Sequence, residues 1–281
     1  MLTALPDYRH AVALDEPFRP LSAPAPAGEL DLLTSLALRM LGDDPWVGRF
    51  RLPREAGDRR RMLRAVLTVR EPAPLDPELV AVLDALLGGE REQRPLANAL
   101  TLPAPIAVWR GDITRLRADA IVNAANDALL GCFQPMHACV DNAIHHAAGP
   151  RLRADCRRIM TLQGTPEPTG AAKITRGYHL PAPFVLHTVG PIVRGNLLPA
   201  HGTALADSYR ACLDLAAEVP GIRTVAFSGI STGIFGFPKR PAARVAIGTV
   251  RDWLATHPGR FDRVVFVAFS GEDETVYREL L

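Results

Sequence analysis

The chain has 281 residues, of which 48% are hydrophobic and 22% are charged. This composition is typical of a folded globular protein and excludes collagen, a coiled coil and wholesale disorder. The formal net charge of +2 is too balanced for a sequence-blind nucleic-acid binder, so we expect no nucleic-acid partner. No apolar run is long enough to cross a bilayer, and the first residues lack the pattern of an export signal. We therefore expect a cytoplasmic protein with no membrane partner.

The N-terminal third divides into two segments of different composition. Residues 1–28 are rich in proline and alanine, which disfavours helix and leaves little apolar surface to bury, so we predict a loose arm. Within residues 29–94, three segments have helical spacing of apolar residues, separated by the breakers DDPW, RLPREAG and EPAPLDP. A helical extension of this size is too small to be stable alone, so we expect it to pack on the following domain.

From residue 106 onward, short apolar runs alternate with helical stretches, which is the pattern of an α/β fold. This predicted domain covers residues 101–281. Because a mostly parallel sheet binds its ligands at the carboxyl ends of its strands, the loops after the strands are the candidate site. The predicted strands are 106–109, 120–123, 171–175, 184–188, 224–227 and 264–269, and the predicted helices are 140–148, 201–218, 241–255 and one that begins near Asp273.

A loop of small residues, ISTGIFGFP, follows the strand at 224–227 and precedes the helix at 241–255. Successive backbone N–H groups in such a loop can close around a diphosphate. An ordinary glycine-rich turn has the same appearance, and the pattern alone does not separate the two.

The chain has four cysteines, which in a reducing compartment are metal ligands or buried thiols rather than disulfides. Cys132, His137 and Cys139 form a C-x4-H-x-C cluster around Pro135, and thiolates with an imidazole favour zinc over magnesium or calcium. The spacing matches no general zinc pattern, so two buried thiols and a loop histidine remain the alternative. Cys156 and Cys212 lie away from this loop, and we interpret them as core thiols.

Polar and aromatic residues at the strand ends each have two interpretations. Asp112 can accept a hydrogen bond from a ligand amino group or make a turn with its own backbone. The amides of Asn123 and Asn126 suit ribose hydroxyls, although Asn123 is equally a turn residue. Asp141 can cap the helix that it opens or act on a ligand. Phe269, like Phe237, can contact a ligand through its ring or pack in the core.

The motifs GDIT, DAIVNAAN, AIHHAAG, LPAPFVLHTVGP and ISTGIFGFP occur in this order, and together they resemble the macrodomain family over residues 106–281. The resemblance implies a three-layer α/β/α fold with a mixed sheet that binds ADP-ribose. It implies that Asp112 and Ile113 bind adenine, that Phe269 stacks on it, and that Asn126, Val140 and Asp141 lie at the distal ribose. The residues expected around the phosphates and distal ribose are Ser231, Thr232, Gly233, Ile234 and Phe235.

The segment GCFQPMHACVDNAIH resembles the loop of zinc-containing bacterial macrodomains, which also carry an N-terminal helical extension. This resemblance implies one Zn²⁺ per chain, held by Cys132, His137 and Cys139 with a free fourth position. The chain differs from that branch at two positions. Members of that branch often have Glu at the position of Ile234 and His at that of Gly236, so any general base here must be another group.

These features predict a hydrolase that removes mono-ADP-ribose from carboxylate side chains of modified proteins, with Asp141 and Asn126 as catalytic residues. Its expected partners are ADP-ribose and a mono-ADP-ribosylated protein. One alternative is a module that binds ADP-ribosylated partners without cleaving them. Another is an enzyme that acts on a free O-acyl-ADP-ribose.

Overall fold

The computed structural model describes residues 2–42 and 51–281. Its helices are α1 (Leu5–Tyr8), α2 (Leu30–Leu41), α3 (Ala56–Val69), α4 (Pro77–Glu92), α5 (Val140–Ala148), α6 (Pro150–Gln163), α7 (Pro199–Ala217), α8 (Lys239–Thr256) and α9 (Gly271–Leu280). Its strands are β1 (Ala97–Asn98), β2 (Ile106–Arg110), β3 (Leu116–Arg117), β4 (Ala120–Ala124), β5 (Ala172–Arg176), β6 (Phe184–Thr188), β7 (Thr224–Phe227) and β8 (Arg263–Ala268). None of these described helices is long and apolar enough to cross a membrane.

The main sheet has six strands in the order β2-β8-β7-β4-β6-β5. Five strands are parallel to their neighbours, and the edge strand β5 is antiparallel to β6. Alternate residues of β8 face opposite cores: Val264 and Phe266 pack with α7, α8 and α9, whereas Val265 packs with α5. The predicted three-layer α/β/α architecture with a mixed sheet is therefore confirmed.

Helix α6 was missing from the predicted helices. It directly follows α5, and Gly149 separates the two with a φ of +92°, a conformation that other residues rarely adopt. Pro150 then begins the new helix, where its missing N–H costs nothing. The charged sequence PRLRADCRR hides the apolar face of α6, which includes Leu152 and Ile159, both fully buried.

The prediction that the N-terminal arm is loose is wrong. Leu5, Tyr8, Val12 and Leu14 are at most 4% exposed and belong to the largest core. The hydroxyl of Tyr8 accepts a hydrogen bond from the backbone N–H of Ile174 in β5 at 3.0 Å. Proline and alanine concentrate between residues 17 and 28, and the apolar side chains before that stretch are sufficient to dock it.

The helical extension packs on the domain that follows, as expected. Its helices share a core that includes Leu38, Leu63 and Leu83, while the break at DDPW lies outside the described residues. Asp84 of α4 is 3% exposed; it forms an ion pair with Arg151, and its Oδ1 lies 2.8 Å from His179 Nε2. A buried carboxylate needs such partners. The domain boundaries themselves stay a prediction.

We predict that Tyr8→Ala lowers the free energy of unfolding by about 3–5 kcal/mol, because it empties a buried aromatic site. Tyr8→Phe should cost about 1–3 kcal/mol, since it leaves the buried N–H of Ile174 without its acceptor. Urea unfolding would measure both. Leu2→Ala is the control, because Leu2 is 52% exposed; equal stability of all three variants would mean that the arm is not part of the core.

Candidate active site

The carboxyl ends of the parallel strands bring the predicted site loops to one edge of the sheet. Asp112 follows β2 and Phe269 follows β8, while the loop at 228–238 follows β7. Asn126 follows β4, which lies beside β7. A small apolar cluster packs these loops together; its members include Leu129, Val189 and, partly buried, Phe235.

The loop after β7 presents backbone N–H groups. Two hydrogen bonds close it, from Gly236 N–H to the Gly233 carbonyl and from Phe237 N–H to the Ser231 carbonyl, both at 3.0 Å. Among the described residues, none accepts a hydrogen bond from the amides of Gly233, Ile234 or Phe235. The buried hydroxyl of Ser231 also has no partner there. Such a group of unpaired donors suits an anion such as a phosphate.

The backbone of this loop lies close to the loop that follows β6, which contains Gly190 and Val193. Ser231 has a φ of +63°, and the Phe235 carbonyl accepts a hydrogen bond from the Val193 N–H at 2.7 Å. A Cβ on Gly190 would lie 2.1 Å from Ser231 Oγ and 2.5 Å from Ile230 Cγ2. Only glycine therefore allows the two loops to touch.

The C-x4-H-x-C cluster comes together in space. The ligand atoms of Cys132, His137 and Cys139 all lie within 4.8 Å of one another, and Cys132 Sγ is 3.1 Å from His137 Nδ1. All three residues are partly exposed, whereas Cys156 and Cys212 are fully buried. The last two are core thiols, as predicted. Two thiols and an imidazole at these separations fit a zinc ion, whose bonds to sulfur and nitrogen are about 2.0–2.3 Å long.

Burial raises the pKa of the Cys139 thiol to about 12, and the negative charges of Asp141 and Cys132 add to this shift. A protein that held both thiols as neutral side chains would gain little from placing them together. A bound divalent cation would offset the repulsion between two thiolates, because metal binding replaces the thiol protons.

The start of α5 holds the cluster in place, and one prediction about it is wrong. The N-cap of α5 is Cys139, whose Sγ accepts a hydrogen bond from the Asn142 N–H at 3.4 Å. Asp141, which we had considered as the cap, is the second residue of the helix. The side-chain amide of Asn142 donates to the carbonyls of Gln134 and His137, both at 3.0 Å. The sequence carried no signal for this role, because both partners of the Asn142 amide are backbone carbonyls.

Asp141 lies in a buried polar network. It is 5% exposed, and its Oδ1 accepts a hydrogen bond from the Asn123 amide at 2.8 Å. Burial raises the pKa of Asp141 to about 6, partly offset by that hydrogen bond. His145 Nε2 is 3.4 Å from the same oxygen, and burial lowers the pKa of His145 well below its usual value. Asn123 and the neutral His145 therefore lie next to the carboxyl group, while the positive charge of Arg153 favours its ionised form.

Asn123 is not a turn residue, contrary to one of our two interpretations. It lies within β4 and is fully buried, and its amide nitrogen is also 3.2 Å from His187 Nδ1. Burial lowers the pKa of His187 to about 3, and its Nε2 lies 2.9 Å from Thr175 Oγ1. No pattern in the sequence indicated its partners, because Asp141 and His187 are 18 and 64 residues away along the chain.

Asn126 organises its own loop. Its side-chain amide donates to the Gly131 carbonyl at 2.9 Å, and its Oδ1 accepts from the Ala128 N–H at 3.1 Å. These bonds connect the end of β4 to the residue before Cys132. The predicted contact of Asn126 with a ribose stays a prediction.

At the other end of the site, Asp112 makes the turn that the sequence allowed. Its Oδ1 accepts from the N–H of Thr114 at 2.9 Å and from the hydroxyl of Thr114 at 2.7 Å. No described residue donates to its Oδ2, so the turn does not exclude a ligand contact. Ile113 is buried and Val140 half-buried, so neither offers a free side chain.

The two phenylalanines differ. Phe269 is 86% exposed, so its ring is not part of the core. Phe237 is 2% exposed and packs in the largest core. Of these two residues, Phe269 is the one that can offer an aromatic face to a ligand at this edge.

Comparisons with known proteins agree with this architecture. The macro domain family model matches residues 122–246. The chain is 43% identical over 250 residues to a protein-ADP-ribose hydrolase of Treponema medium, which covers 86% of this chain and 95% of that protein. It is 42% identical over 234 residues to a protein-ADP-ribose hydrolase of Staphylococcus aureus strain MSSA476, covering 81% of this chain and 86% of that protein.

A solved structure of the Trypanosoma brucei macrodomain in complex with ADP-ribose is also similar. It aligns with a TM-score of 0.59 and 33% identity, covering 76% of this chain and 94% of that one. The chain therefore belongs to the macrodomain family, and its hydrolase relatives identify it as an enzyme of the hydrolase class.

We predict that Gly190→Ala lowers the free energy of unfolding by about 1–3 kcal/mol, because the added methyl group overpacks the contact with Ser231 and Ile230. Urea unfolding is again the measurement. Gly221→Ala serves as the control, since a Cβ there would meet nothing within 4 Å. Equal stability of the two variants would contradict the close approach of the loops.

Proposed function

We propose that this chain is a zinc-dependent hydrolase that removes mono-ADP-ribose from carboxylate side chains of modified proteins. The observation that carries the proposal is the convergence of Cys132, His137 and Cys139 within 4.8 Å of one another at the start of the helix that holds Asp141. Protein-ADP-ribose hydrolases among the relatives support the substrate class.

The proposed ligand extends along the carboxyl edge of the sheet. Adenine lies at Asp112 and the backbone of Ile113, with the exposed ring of Phe269 stacked on it. The loop from Ser231 to Phe235 binds the diphosphate through its unpaired amides. Asn126, Val140 and Asp141 surround the distal ribose.

The proposed reaction consumes one water molecule. It breaks the ester bond between the anomeric carbon of the distal ribose and the acceptor carboxyl group. The products are ADP-ribose with a free anomeric hydroxyl and a protein with a free carboxylic acid. No oxidant, reductant or further co-reactant is needed.

We assign to Asp141 the role of the base that binds the attacking water. Asn123 already occupies its Oδ1, and among the described residues none donates a hydrogen bond to Oδ2, which leaves that oxygen for water. Its buried neighbours fix the carboxyl group in one orientation, and such preorganisation lowers the barrier to reaction. Asn126 maintains the loop that contacts the ribose.

Cys132, His137 and Cys139 are the residues that would hold the metal. A zinc ion held there would supply a Lewis acid that stabilises negative charge developing on oxygen. The donor set of two thiols and an imidazole favours zinc over the harder cations.

The structure bears on the two positions, Ile234 and Gly236, where this chain lacks the Glu and His that are frequent in the zinc-containing branch. Gly236 has a φ of +71°, and a Cβ there would lie 2.9 Å from the Val193 carbonyl oxygen. Histidine does not fit that backbone without strain. Ile234 is 73% exposed and has no acid–base group. The base must therefore come from elsewhere, and Asp141 is the carboxylate that the geometry favours.

We predict that turnover requires the metal. Purified protein would be incubated with acceptors carrying mono-ADP-ribose on carboxylate or on serine side chains, with and without a strong chelator, and bound metal measured by mass spectrometry. Chelation should abolish release from the carboxylate acceptor, and added zinc should restore it. Cys132→Ser should lose both metal and turnover.

The control variant is Cys212→Ala, which removes a buried thiol outside the cluster and should retain zinc and activity. Release that persists in metal-free protein would remove zinc from the proposal. Tight binding of ADP-ribose without release from any acceptor would favour a binding module. Turnover of free O-acyl-ADP-ribose alone would favour the deacylase.

We further predict that Phe269→Ala weakens ADP-ribose binding by about 1–3 kcal/mol, the usual contribution of one base stacked on an aromatic ring. Calorimetric titration with ADP-ribose and with ribose 5-phosphate would measure the effect. Only the ligand that contains adenine should bind more weakly. Leu162→Ala is the control because Leu162 is also exposed, at 56%; equal affinity of the two variants for ADP-ribose would refute the stacking contact.

A further inference from the structure

Arg153 connects the helical extension to the metal-binding loop. It lies in α6 and is 7% exposed. One terminal nitrogen, Nη1, lies 2.9, 3.0 and 2.9 Å from the carbonyl oxygens of Leu67, Thr68 and Arg70. These carbonyls are at the C-terminal end of α3, where a helix has unpaired acceptors and partial negative charge. The end of α3 therefore fixes the guanidinium of Arg153.

The other side of the same guanidinium faces the loop that begins the C-x4-H-x-C cluster. Its central carbon lies 4.6 Å from the centre of the Phe133 ring, a cation–π contact. Phe133 directly follows Cys132. The terminal nitrogen Nη2 also lies 3.2 Å from where a Cβ on Gly131 would be, so the arginine contacts residues on both sides of that cysteine.

The loop needs such outside support because its backbone is unfavourable by itself. Gly131, Phe133 and Met136 have φ values of +86°, +51° and +63°, and the two side-chain-bearing residues rarely adopt that conformation. Residues held in this region persist only where their surroundings impose it. Asn142 anchors the second half of the loop, but among the described residues it makes no hydrogen bond to residues 131–133.

A second contact connects α3 to the same side of the site. His146 Nε2 lies 2.7 Å from the hydroxyl of Thr68, which itself donates to the Arg64 carbonyl. His146 is in α5, next to His145, which contacts Asp141. The end of α3 therefore contacts α6 through Arg153 and contacts α5, the helix that contains Asp141, through His146.

We propose that the helical extension positions a residue of the metal site. The C-terminal end of α3 fixes the guanidinium of Arg153, and Arg153 in turn holds the ring of Phe133 and so positions Cys132. Arg153 is a positioning residue in this arrangement. The inference rests on the proposed zinc site.

The test compares the zinc affinity of four variants by competition with a chromophoric chelator. Arg153→Met removes the guanidinium, and Phe133→Leu keeps an apolar side chain without the aromatic face. The third variant combines both changes. Arg157→Met is the matched control, since this arginine lies in the same helix and forms a half-exposed ion pair with Glu71. Turnover is not the readout, because the charge of Arg153 also acts on Asp141.

We expect Arg153→Met to bind zinc about 10–100-fold more weakly, the usual effect of losing a residue that orients a ligand. If Arg153 acts through Phe133, the double variant should bind zinc no more weakly than Arg153→Met. Binding by Arg153→Met as tight as that of Arg157→Met would overturn the inference. Should Arg153→Met fail to fold, Phe133→Leu carries the same comparison, because its ring is partly exposed.

A second measurement separates this inference from the proposed function. In metal-free protein, hydrogen exchange over residues 131–139 should be faster in Arg153→Met than in Arg157→Met, with no change in the loop at 231–237. Unchanged exchange would overturn the positioning role even if zinc binds. If the unmodified chain takes up no zinc, the proposed function loses its metal, yet the exchange data still decide whether α3 and Arg153 hold the loop.

Discussion

The parallel pairing of β4 with β7 is the constraint on which the site depends. Ala120, Ile121 and Val122 pair in register with Val225, Ala226 and Phe227, so both strands end at the same edge of the sheet. One strand leads to the loop with the cysteine cluster, and the other leads to the loop with unpaired amides. A change of register by one residue would exchange the buried faces of a strand and separate the two loops.

The interior next to this edge is unusually polar for a macromolecular core. Asn123, Asp141 and His187 are each at most 5% exposed, and each of these groups costs free energy when buried unless it is paired. The Asn123 amide nitrogen supplies part of the pairing through its contacts with Asp141 Oδ1 and His187 Nδ1, while the Asn123 side-chain oxygen has no partner among the described residues. Stability and function therefore use the same contacts here, because the bonds that satisfy the buried groups also orient the carboxylate of Asp141.

Much of the fold followed from short apolar runs that alternate with helical stretches and from turn residues, and the bounds of the six predicted strands agree with those of the main sheet within one residue. The convergence of Cys132, His137 and Cys139 followed from the resemblance to zinc-containing macrodomains, whereas their spacing alone left buried thiols as the alternative. The roles of Asn123, Asn142 and Arg153 were not predictable. Each acts through a partner that is distant in sequence or through a backbone carbonyl, and neither kind of partner leaves a pattern in the chain. The packing of the N-terminal arm was not predicted because the composition of residues 1–28 is dominated by proline and alanine. That composition hides four apolar side chains that are buried in the core, namely Leu5, Tyr8, Val12 and Leu14.

The family model matches residues 122–246, yet the folded unit extends well beyond that segment on both sides. Strand β8 lies between β2 and β7, and Tyr8 occupies the core beside β5. A fragment trimmed to the matched segment would lack β2 and β8, two strands of the main sheet, and would expose apolar surface that they cover. Limited proteolysis should therefore yield no stable fragment of that size, and crystallisation or screening work needs the arm and the extension intact.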